Sequence, residues 1–127
     1  MEPSPEPSAP AVLETRDLHK SFTRGDTVTP ILTGIDLKIR RGEFVAMVGP
    51  SGSGKSTLLS LLGLLDTPTS GDVLVNGTRA ARLSRRRLAA LRGATIGYVF
   101  QAFNLLAGLT VVENVMLPGL LAGRSGP

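Results

Sequence analysis

The stretch Gly49-Pro50-Ser51-Gly52-Ser53-Gly54-Lys55-Ser56-Thr57 constrains this chain more than any other. Gly49, Gly54, Lys55 and Ser56 satisfy G-x-x-x-x-G-K-[ST], the pattern of a phosphate-binding loop. From average residue usage, four such positions match by accident on the order of once in a few hundred chains of this length. The flanks occur in the required order. Phe44-Val45-Ala46-Met47-Val48 is an unbroken apolar run, as expected of a strand buried on both faces. Leu58, Leu59, Leu61, Leu62, Leu64 and Leu65 are apolar on every side of a helix expected to stop near Asp66, because Pro68 cannot continue it. The plainer reading is a Gly/Ser-rich turn before a buried helix, which requires neither this spacing nor these flanks.

The residue types suit the chemistry of a polyphosphate. Several backbone N–H groups must converge on it, and the first turn of a helix offers N–H groups without internal partners. Aligned peptide dipoles add roughly half a positive charge there. Gly49, Gly52 and Gly54 let the backbone bend and approach closely. Lys55 supplies a mobile charge for the β/γ-phosphates, and Ser56 a hydroxyl placed for Mg²⁺. The chain therefore reads as a nucleoside-triphosphate binder.

Length and composition set limits. The 127 residues make one domain at most, with 42% hydrophobic but only 4% aromatic residues. There is no cysteine, which excludes disulfides and thiolate metal sites, and the single His19 cannot form a cluster. Lysine is the minor basic residue in a chain of net charge +4, so Lys55 is less easily incidental. No apolar run approaches a membrane span, and the N-terminus lacks a secretory pattern, so a cytoplasmic location is expected.

Residues 1–11, rich in Pro, Ser and Glu, are expected to form a disordered tail ahead of a domain over 12–127. A strand is expected over Val12–Phe22 and a turn at Arg24-Gly25-Asp26, whose cell-adhesion spelling is disregarded in a cytoplasmic chain. Ile35, Leu37 and Ile39 alternate with Asp36, Lys38 and Arg40, the period of a half-exposed strand. Ser70-Gly71 is expected to turn, Val73-Leu74-Val75 to form a strand and Asn76-Gly77 a hairpin. Ser84 is expected to cap a helix through about Arg92, ending at Gly93. Thr95–Phe100 reads as a further strand, and Thr110 with Glu113 as a capping box for a helix reaching Pro118. The arginines at 79, 82, 85, 86, 87 and 92 lack interleaved aromatics, so a solvated helix face explains them better than nucleic-acid binding.

Around the loop the sequence resembles the ATP-binding cassette (ABC) transporter ATPases. Ile35 to Ile39 with Gly42 to Ala46 resembles the family's approach to the loop, and Pro68 to Gly71 with Asn76-Gly77 its segment after the first helix. Ile96-Gly97-Tyr98-Val99-Phe100-Gln101 resembles the stretch reaching its glutamine loop. Leu58 to Asp66, and Phe103 to Leu106 with Leu109 to Val115, are most similar to the lipoprotein-release and macrolide-export branch. The likeness covers about Leu13 to Leu117. It implies an α/β fold of the P-loop type with an antiparallel β portion at the start. It further implies ATP and Mg²⁺ as ligands, a membrane permease and a second ATP-binding subunit as partners, and a place on the inner face of the cell membrane. By position, Gly49, Pro50 and Ser51 to Thr57 would wrap the phosphates and Phe22 would stack on adenine, its plainer role being core packing. Ser56 and Gln101 would face Mg²⁺, Gln101 also the attacking water, although a Gln at a strand end is often only a surface residue.

The family's signature motif, its Asp-Glu pair and its switch His have no counterpart here. Asp66 ends a helix, Glu113 is better used as a cap, and His19 precedes the loop. The chain thus resembles the first half of the domain, an incomplete one. A non-catalytic nucleotide-binding or interaction fragment is the alternative of a different class; a small-molecule kinase has no support beyond the loop. The expected outcome is that the isolated chain folds poorly, with Phe44 to Val48 bare, and hydrolyses ATP negligibly. Sustained Mg²⁺-dependent turnover abolished by Lys55→Ala contradicts it.

Overall fold

A computed structural model describes residues 10–123. Two long strands, β1 (Ala11–Arg24) and β2 (Thr27–Arg40), form an antiparallel hairpin closed at Gly25-Asp26. β3 (Ser70–Val75) pairs with the free edge of β1, and β4 (Thr78–Arg79) with β3, giving the order β2-β1-β3-β4. Asn76 and Gly77 join the last two with φ of 47° and 78°, the left-handed pair that a two-residue hairpin of this twist requires. Among the described residues there are three α-helices, α1 (Lys55–Leu62), α2 (Arg85–Thr95) and α3 (Val111–Leu121), and a 3-10 turn at Ala80–Arg82.

The core lies between the sheet and α1. Leu18 and Leu32 of the hairpin and Val73 and Val75 of β3 close on Leu58, Leu61 and Leu62, with Leu64 just beyond the helix. Burying one such side chain is worth about 1.5–3 kcal/mol relative to exposure. Leu88 and Leu91 lay α2 against the same cluster, as their shared helical face predicts. Thr15 is buried with them, and its hydroxyl donates to the Ile35 carbonyl at 2.8 Å. Arg92 is drawn out of the basic run, donating to the Leu64 carbonyl at 2.8 Å, and Arg79 meets Asp72 at 3.2 Å. Arg82, Arg85, Arg86 and Arg87 form the exposed face expected of them.

Two of the sheet's register shifts bear on the site. Lys20 lies opposite Leu32 but Ser21 opposite Pro30, so Ile31 is an extra residue in β2. Pro30 is tolerated because β2 is an edge strand. Between the pairs Arg16–Asp72 and His19–Ser70 the register slips again, with Asp17 at φ 44° and Gly71 at φ 81°. A Cβ on Gly71 would overlap the Asp17 carbonyl.

Several elements differ from expectation. Phe44–Val48 and Ile96–Phe100 form no strand, because no neighbouring chain offers them a ladder. Phe44 and Val48 are 97% and 91% exposed, the bareness anticipated for that segment. α1 stops at Leu62 rather than near Asp66, since Gly63 caps it and Leu64 turns left-handed. Its leucines are not buried all round: Leu59 and Leu65 are exposed. Ser70-Gly71 belongs to β3, where the left-handed glycine serves the bulge instead of a turn. Gly93 lies inside α2, and α3 runs through Pro118, whose missing N–H matters less in a helix with no fully buried residue. The expected tail over 1–11 falls outside the described residues for 1–9, and β1 begins at Ala11.

Replacing Gly71 by Ala forces both a clash with backbone and a left-handed alanine. A loss of about 1–3 kcal/mol or more of unfolding free energy is expected by denaturant titration; an unchanged midpoint contradicts the described β1–β3 contact.

Candidate functional site

The phosphate loop joins the unpaired segment ending at Val48 to the first turn of α1. Gly54 is the N-cap of α1 in the left-handed region, φ 91° and ψ 5°. A Cβ there would lie 2.9 Å from Leu32 Cδ2 and 3.3 Å from Ile31 Cγ2. The extra residue of β2 explains this contact, because it turns two successive side chains toward the loop. Glycine is thus needed at position 54 for conformation and for space.

The start of α1 differs from the other helices in its cap. Ser84 accepts the Arg87 N–H at α2, and Thr110 with Glu113 forms the expected capping box at α3. The Glu113 carboxyl is held below its usual range by the Thr110 N–H and hydroxyl. α1 has no side-chain cap and no acid in its first turn. Its first N–H groups and the positive end of its dipole are left to an anion from outside.

Lys55 lies inside the loop. Its ammonium donates to the carbonyls of Gly49 at 2.8 Å and Pro50 at 2.6 Å, and to the Ser53 hydroxyl at 3.3 Å. The Ser53 N–H donates to the Pro50 carbonyl at 3.3 Å, closing the curl. Ser51, Gly52, Gly54, Lys55, Ser56 and Thr57 line an open concavity of about 560 Å³ floored by Ile31. Ser51, Gly52 and Ser56 are exposed at its rim. A phosphate group would offer the ammonium charged acceptors in place of neutral carbonyls, roughly doubling the strength of each bond. The residues present fit a polyphosphate on donors, charge and room.

Phe22 lies near the hairpin turn opposite Thr29, and its ring is 49% exposed rather than part of the core. The Lys20 ammonium sits 5.1 Å from the ring centroid. It also meets the Asp66 carboxylate at 2.8 Å and the Thr67 carbonyl at 2.7 Å, with the Lys20 side chain only 11% exposed. Asp66 accepts the Thr67 N–H at 2.7 Å as well. These bonds, the one from Lys20 foremost, hold the Asp66 carboxyl below the usual range. Sequence reasoning passed over Lys20 and saw Asp66 only as a helix end. The available signals were the scarcity of lysine and the two-residue spacing from Phe22, which places both on one strand face.

Gln101 is exposed and makes no hydrogen bond to Lys55 or Ser56 among the described residues. Its segment is docked at the other end of α1, where Tyr98 lies over Gly63 so closely that a Cβ would fall 2.8 Å from the ring. Tyr98 and Phe100 are 4.5 Å apart between centroids. His19 pairs with Asp17 at the surface, at 2.9 Å. Among the described residues no group of three His, Cys, Asp or Glu side chains could hold a metal.

A model of the ABC transporter family matches residues 32–125. The chain belongs to that family. It is 50% identical over 123 residues to the lipoprotein-releasing system ATP-binding protein LolD of Anaeromyxobacter dehalogenans, covering 96% of this chain and 52% of that protein. It is 50% identical over 114 residues to the macrolide export ATP-binding/permease protein MacB of Marinobacter nauticus, covering 90% and 18%. Among solved structures, the dimeric ABC transporter cassette MJ0796 superposes with a TM-score of 0.83 at 39% identity, covering 91% of this chain and 50% of that one. A second structure of that cassette, in a post-hydrolysis state with ADP and Pi, matches equally well. The chain spans about half the length of LolD and of the cassette. The expected family and fold class are therefore both met, and the described sheet is the antiparallel portion at the start of the cassette. No helix among the described residues is long and apolar enough to cross a membrane.

The Lys20–Asp66 contact has a pH signature. Because the folded carboxyl titrates below its unfolded value near 4, the contact stabilises above that value and is lost as pH falls through the folded pKa. The stability gap between the parent chain and Asp66→Asn should be full at pH 6 and shrink toward pH 3 in denaturant titrations. A gap independent of pH contradicts the contact.

Proposed function

We propose that this chain forms the nucleotide-binding portion of a transporter ATPase and holds ATP at residues 49–57. The observation that carries this reading is the uncapped start of α1 behind a loop whose lysine is satisfied only by loop oxygens. Backbone N–H groups of Gly52 to Thr57 would surround the β- and γ-phosphates, with Lys55 exchanging carbonyls for phosphate oxygens. Phe22 would receive the adenine ring. Mg²⁺, when bound, would neutralise phosphate charge at the Ser56 hydroxyl, and Gln101, whose segment docks at the other end of α1, would have to swing toward it to serve as a second ligand; such an ion keeps several waters and needs few protein ligands. LolD and MacB are named for ATP-binding roles in lipoprotein release and macrolide export, and the MJ0796 cassette is dimeric. By that likeness the chain would pair with a second ATP-binding subunit and drive a permease from the inner face of the membrane.

Among the described residues no carboxylate forms an ion pair with Lys55, and the ionic contacts present lie on the sheet and its turns. Lys55 therefore has no carboxylate to give up when phosphate arrives, which supports binding. The second reading, a non-catalytic module seated on a partner, is favoured by one observation: the bare Phe44–Val48 segment that leads into the loop.

Calorimetric titration of the purified chain with Mg²⁺-ATP tests the reading. Saturable binding is expected, weakened about tenfold or more by Lys55→Ala, as loss of a charged hydrogen bond implies. A folded chain that ignores ATP, or binds it equally well without Lys55, overturns it.

A further inference from the structure

The geometry points to Lys20 as the residue that sets Phe22 to receive the nucleotide base. Its ammonium, fixed by Asp66 and Thr67, occupies one face of the ring and leaves the other face for the purine. This rests on the proposed placement of ATP, and extends it to residues outside the phosphate loop.

A half-exposed phenylalanine near a hairpin turn has little to hold its ring. Here the neighbouring strand position supplies a cation 5.1 Å from the centroid, within the range of cation–π attraction. Lysine is ordinarily a mobile residue, yet this one has lost its freedom. Its amine is bound by a carboxylate at 2.8 Å and a carbonyl at 2.7 Å, and its stem is covered. A fixed cation on one side excludes a base from that side and draws π-density from the ring. Stacking of an electron-rich purine on the open side gains from both effects.

The anchor also relates the two ends of the ligand. Asp66 comes three residues after Gly63, the C-cap of α1, and the phosphate loop forms the N-terminus of the same helix. A helix of eight residues spans about 12 Å. Phosphate site and base platform are thereby referred to one rigid element. Opposite Lys20, Leu32 presses on Gly54, so the strand pair carries a second link between them.

A plain staple between β1 and the segment after α1 would show the same contacts, so the test must separate base from phosphate. The chain contains no tryptophan, and Phe22→Trp supplies a single reporter. In that background ATP should quench the fluorescence, whereas inorganic tripolyphosphate should compete without quenching. Adding Lys20→Met should weaken ATP by roughly three- to tenfold while tripolyphosphate affinity stays within about twofold. Asp66→Asn, which keeps the lysine but loosens its anchor, should shift ATP alone in the same direction, and Lys20→Arg should recover part of the loss. If Lys20→Met fails to fold by circular dichroism, the Asp66→Asn and Lys20→Arg pair decides. Equal weakening of ATP and tripolyphosphate, or no weakening of either, overturns the role of Lys20 while leaving the ATP site standing. Absence of quenching by bound ATP removes Phe22 from the base site, and Lys20 with it. Absence of any ATP binding overturns the ATP site itself.

Discussion

The core of this chain and its loop depend on the seam between α1 and the antiparallel sheet. Leu58, Leu61 and Leu62 lie on one side of a short helix and meet Leu18, Leu32, Val73 and Val75. An isolated eight-residue helix is not stable in water, so its packing, not its propensity, holds it in place. The phosphate loop inherits its position from that seam. Gly54 could not lie where it does unless α1 were pressed against Ile31 and Leu32.

The same dependence explains what is not ordered into secondary structure. A strand needs hydrogen-bonding neighbours, and Phe44–Val48 has none, whatever its apolar character. Ile96–Phe100 shares that condition and is kept near the core by Tyr98 on Gly63. α3 has well-formed caps but no fully buried residue, so local bonds rather than packing define it. Regions with few buried contacts open at lower free energy than the core, and the chain is graded in this sense from the hairpin outward.

What could be read from the sequence follows that gradient. The turn at Gly25-Asp26, the Asn76-Gly77 turn, the Ser84 cap and the Thr110–Glu113 box are written in local residue chemistry, and each is present. The loop was legible because G-x-x-x-x-G-K-[ST] binds phosphate through backbone geometry that glycine alone permits. Strands at 44–48 and 95–100 were misjudged because apolar runs report burial in a complete sheet, a tertiary property. Gly71 read as a turn because a left-handed glycine serves a turn and a bulge equally well. Lys20 and Asp66 stand far apart in sequence, and no local pattern marks a long-range ion pair.

The loop is held unequally at its two ends, and this bears on how it would take a ligand. Its Gly54 end rests on β2 and opens a packed helix, so the N–H groups there are preorganised. Its Gly49 end hangs from a segment in which only Met47 packs against the core. Lys55 bridges the difference, since its bonds to the Gly49 and Pro50 carbonyls tie the loose end to the firm one. An incoming phosphate would compete for that same ammonium, so binding would release the tie that shapes the loop. The affinity of this chain would then depend on whether phosphate oxygens, bridging Lys55 and the N–H groups, reform the link. Cover over Phe44–Val48 would hold the Gly49 end independently and remove that cost. The bare segment and the phosphate site are one problem in the same stretch of backbone.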